Sequence, residues 1–293
     1  MLAHGDGILS ETCTMFPREY HDFASHQEAT LMPGCPAVLI SGMHSHTLRS
    51  QPADFPLFRK IKNFSSRYGN IFTDHSMSGL HSGAGIDGMF LPIIRACDRD
   101  SVPLTHFRLF FTGNTDTAYG YYHSHGFSPE DMLYECNELL QDLAVNYQKE
   151  GLYQSFLTPL LNLATQISAD SCQWDLCRKW QQFHIEWKNR NLCYEPFYPM
   201  RSFRPAASRR DPNSMQIHLQ WIGMEYAAIR YAVFLAWLLS GREELHYKTV
   251  CDTIVILTRM TGYEDEDIYE YLENSFESLY WKWGYFAMIL ADV

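Results

Sequence analysis

The chain has 293 residues, 46% of them hydrophobic and 15% aromatic, which is enough apolar material for one large core or two smaller ones. Its 19% charged content excludes a disordered polyelectrolyte, and its formal charge of -11 argues against nucleic acid as a partner, because phosphate binding needs clustered Lys and Arg. Eight scattered cysteines, and a start at Met1 with no basic stretch ahead of an apolar run, lead us to expect neither a dense disulfide scaffold nor a signal peptide, and hence the reducing cytoplasm.

In chain order, the region 1–126 is rich in Gly, Pro, Ser and His and shows little sustained helical period. It reads as an irregular N-terminal third, in which short apolar runs at 37–40, 89–94 and 107–111 suit either strands or helix pieces. The pattern changes at Phe127, where a helical domain over 127–293 is expected. Ser128-Pro129-Glu130-Asp131 predicts a helix start: a Ser N-cap, Pro at the first helical position and acids facing the dipole. Leu133, Leu139, Leu140 and Leu143 then form an apolar stripe that ends toward Gly151.

Two further helices are predicted over 152–168 and 172–190. The segment 201–213, with Pro205, Pro212 and the arginines Arg201, Arg204, Arg209 and Arg210, reads as a loop or linker. Its basic patch suits an acidic protein or lipid surface, hence peripheral membrane contact. Helices over 215–240, 246–261, 265–274 and 276–290 complete the chain, so the predicted fold is mainly α, with a bundle-like C-terminal two-thirds. The stretch 226–240 is strongly apolar, but Arg230 interrupts it and Glu225 borders it, which predicts a buried core helix and no transmembrane segment.

Several short patterns invite a chemical reading. Gly83, Gly85 and Gly88 spell G-x-G-x-x-G, a weak candidate for cofactor binding because the residues before it make a poor strand; a Gly-rich loop accounts for it as well. His44 with His46 and His123 with His125 have the alternation that lets an extended segment chelate a metal, yet no third ligand stands at a recognisable spacing. Arg59-Lys60-Ile61-Lys62 is a second basic stretch. Cys172 and Cys177, read as helical, project about 140° apart and would not converge. The aromatics from Tyr271 to Phe286 suit a packed terminal helix.

One motif is more specific. Leu9-Ser10-Glu11-Thr12-Cys13-Thr14-Met15-Phe16-Pro17-Arg18 runs on to Glu28-Ala29-Thr30-Leu31-Met32-Pro33-Gly34-Cys35-Pro36-Ala37. This region resembles the flagellin lysine-N-methylase family, with its Ser-Glu-Thr-Cys motif, an aromatic-Pro-Arg and a later Cys-Pro. The helical region 215–290 is similar to the family's C-terminal end. The resemblance implies methyl transfer from S-adenosylmethionine to lysine side chains of flagellin, with a [4Fe-4S] cluster. It also implies that Cys13 and Cys35 belong to the ligand set, with Arg18 beside the cluster sulfurs. The family's further cysteines lie upstream of this motif, where the twelve residues before Cys13 hold none. Two thiolates are a partial set, so a truncated or degenerate copy is expected. The alternative is a non-catalytic helical module that docks flagellin or another partner. No catalytic residue can be named from spacing.

Overall fold

Ser128 sits in extended backbone at the head of the first long helix, and its hydroxyl accepts from the Asp131 amide while the Asp131 carboxylate accepts from the Ser128 amide. This reciprocal capping satisfies two amides that a helix start leaves without partners. It opens α1 (Pro129–Lys149), which ends where Gly151 takes a φ of 72°. The amides of Gly151 and Leu152 there return to the carbonyls of Gln148 and Tyr147.

The computed structural model describes residues 18–22, 27–39, 128–169, 175–190, 212–241 and 244–260, together with Ile268, Glu270, Tyr271 and Ile289. After α1 come α2 (Gln154–Ala169), α3 (Leu176–Arg190), α4 (Pro212–Leu239) and α5 (Tyr247–Met260). The fold is mainly α, as the periodicity predicts. The bounds differ in informative ways. Tyr153 has a φ of 51°, so the turn after α1 extends to it and α2 begins at Gln154. Pro212, read as loop, is the first residue of α4, where its missing amide costs nothing. α3 begins at Leu176, so only Cys177 of the Cys172–Cys177 pair lies in the described helix. The predicted linker over 201–211 and most of the predicted helices over 265–274 and 276–290 lie outside the described residues.

α4 is the centre, packing against each of the other four helices. Its described side chains from Gly223 to Leu235 are all buried, which is why it lacks the one-sided stripe of a surface helix. Trp180 and Phe183 of α3 pack on Phe234 of α4 with ring centroids 5.1 and 5.4 Å apart. Polar groups set the α1–α2 seam: the buried Asn137 amide donates to the Ala164 carbonyl at 3.1 Å and to Ser168 Oγ at 2.8 Å. Among the described residues, no helix is long and apolar enough to cross a membrane.

The N-terminal third, expected to be irregular, contains a two-stranded antiparallel hairpin, β1 (Arg18–Asp22) with β2 (Gln27–Leu31). Neither five-residue strand shows a long hydrophobic alternation, so pairing of the backbone ladder rather than patterning defines it.

Candidate functional site

The register of the hairpin pairs Arg18 with Leu31, so β1 starts at the end where β2 finishes. Four residues beyond Leu31 lies Cys35, and five before Arg18 lies Cys13. The chain after β2 turns sharply: the Cys35 amide donates to the Met32 carbonyl at 3.3 Å, and the Cys35 carbonyl accepts from Val38 at 3.0 Å. A single helical turn over 36–39 follows, with Pro36 at its first position.

This corner is fastened to α5 at both ends. Arg259 Nε donates to the Gly34 carbonyl at 2.7 Å, and the Tyr247 hydroxyl donates to the Leu39 carbonyl at 3.2 Å. The Arg259 carbonyl in turn accepts from the Tyr147 hydroxyl of α1 at 3.2 Å. Pro33, Gly34 and Leu39 are buried, while Cys35 is half-buried with a free thiol. A partly open soft donor on a pinned backbone has the chemistry of one position in a thiolate set.

The described residues do not complete such a set. Among them, no group of three or more His, Cys, Asp and Glu side chains is arranged to hold a metal ion. The other three described thiols are raised above the ordinary range. Burial pushes fully enclosed Cys136 up to about 12, and its Sγ lies 3.7 Å from the Ile289 carbonyl. Cys177 also rises to about 12, first by burial and then by donating to Glu130 Oε1 at 3.0 Å. Burial raises Cys251 too, against a hydrogen bond with Tyr247 that lowers it. A raised thiol is a poor ligand and a poor nucleophile.

Cys13, Gly83, Gly85, Gly88, both His-x-His pairs and the arginines at 201, 204, 209 and 210 lie outside the described residues. Arg18 is placed by its backbone as the first residue of β1. Sequence reasoning missed Arg259 and Tyr247. Their link to the corner spans 225 and 208 positions, and an arginine in the last turn of a helix looks like an ordinary dipole partner.

Arg230 is a second concentration of charge, and the sequence did mark it. It is fully buried, with its guanidinium carbon 5.1 Å from the Trp180 ring centre and 5.3 Å from that of Tyr226. Its Nη2 donates to the Ile289 carbonyl at 2.9 Å, so its described role is to tie α4 to the end of the chain. Comparison of this chain with protein-family models, curated proteins and solved structures finds no match.

Proposed function

We propose that this chain serves S-adenosylmethionine-dependent methylation of lysine side chains on flagellin, in the cytoplasm, as its Cys13 and Cys35 motifs imply by resemblance. The observation that supports this reading is the hairpin register. Pairing of Arg18 with Leu31 brings together one end of each strand, and in sequence Cys13 lies five residues before Arg18 and Cys35 four residues after Leu31.

A lysine must lose its proton to attack a methyl sulfonium, which calls for a base or a dry site in an ordinary transfer. No described residue is assigned that role, and no step is drawn through a cluster, because the described donors do not fill one. In this reading Cys35 contributes one soft ligand and the helical domain contributes the surface that receives flagellin.

The test is labelled methyl transfer. The full chain is purified without oxygen, reconstituted with iron and sulfide, and incubated with S-adenosylmethionine and flagellin. Label on flagellin lysines is the expected result. Flagellin binding with neither iron nor label would replace this reading with that of a non-catalytic docking module.

A further inference from the structure

We propose that Arg259 is the positioning residue for Cys35. The proposal rests on the methylase reading for the purpose of Cys35, but not for the geometry. Gly34 precedes Cys35, and the Gly34 carbonyl is the acceptor of the 2.7 Å hydrogen bond from Arg259 Nε. Because the donor is a guanidinium, this is a charge-assisted bond, the stronger kind. It fixes the peptide plane that leads directly into Cys35.

Three further contacts make that bond a positioning device. The Cys35 amide is tied back to the Met32 carbonyl, so rotation of the corner about its own backbone is restricted. Tyr247, three turns earlier on α5, holds the Leu39 carbonyl at the far end of the same segment. Arg259 is itself anchored, since its carbonyl accepts from Tyr147 on α1. The half-buried Cys35 is thereby held between two fastenings on one rigid helix, and a functional side chain is placed more accurately from a helix than from a loop. A glutamine at 259 carries a neutral Nε2 donor as far from Cα as Arg259 Nε and reaches the same carbonyl; a methionine of similar length has no donor.

The test uses the full-length chain and compares Arg259→Met, Arg259→Gln and Tyr247→Phe with the unaltered protein. Amide hydrogen exchange over 32–39 and the alkylation rate of Cys35 by iodoacetamide report corner geometry without any cofactor. For Arg259→Met both rise about tenfold, the opening expected when one charge-assisted hydrogen bond is lost, with helical circular dichroism unchanged. Arg259→Gln, which keeps a donor at the Nε position, recovers part of the effect, which a general packing role would not produce. Tyr247→Phe gives a smaller rise, and it decides the matter if Arg259→Met does not fold. Exchange and alkylation within twofold of the unaltered protein in the folded variants would overturn the proposal. Methyl transfer is measured separately: if the unaltered chain transfers no label, the methylase reading fails while the exchange and alkylation results still decide the role of Arg259.

Discussion

The guanidinium of Arg230, at the centre of the most buried helix, donates from Nη2 to the carbonyl of Ile289 at 2.9 Å. The same carbonyl lies 3.7 Å from the Cys136 thiol, so α1, α4 and the end of the chain meet at one acceptor. Replacing Arg230 with Ala leaves that carbonyl without its main donor and opens a cavity between the Trp180 and Tyr226 rings. The expected loss is about 3 kcal/mol of unfolding free energy, read as a lower urea midpoint. Arg230→Met keeps most of the volume and the apolar contact, so it loses less. Equal midpoints for Arg230→Ala and the unaltered chain would show that the buried charge ties nothing together.

The capping box at Ser128 gives a smaller effect. Ser128→Ala removes the acceptor for the Asp131 amide and costs about 1 kcal/mol, while Ser128→Gly costs only a few tenths. Denaturant titration of the two variants checks both the size and the order.

Alkaline pH tests the burial of Cys136. Its thiol is raised by desolvation from an ordinary 9.0 to about 12 in the folded chain. The unfolded chain therefore loses its proton first, and the stability associated with a neutral buried thiol is present below pH 9 and lost as the pH climbs toward 12. Tyr231 nearby, raised well above its ordinary range chiefly by burial, shifts stability in the same direction at higher pH. In Cys136→Ala the decline of stability with pH above 9 is shallower by up to about 1.4 kcal/mol per pH unit. Identical slopes would contradict the burial.

Much of the helical part was legible because its determinants are local. Ser128, Pro129 and Asp131 announce α1 within four residues, Gly151 ends it through its positive φ, and Arg230 marks an apolar run as a core helix rather than a membrane span. The hairpin was not legible, since Arg18–Asp22 and Gln27–Leu31 are too short and too polar for a period to emerge. At the site, Cys35 could be singled out from its motif, but its fastening could not. Arg259 and Tyr247 reach it across more than two hundred positions, and no local spacing encodes such a contact.

The central proposal is that Cys13 and Cys35 serve one site. It is tested most directly by treating the native, reduced chain with a flexible bismaleimide, followed by digestion and mass spectrometry. The account predicts an intramolecular Cys13–Cys35 cross-link as the main bridged product. Separate capping of the two cysteines, or a bridge from Cys35 to some other thiol in its place, would contradict it.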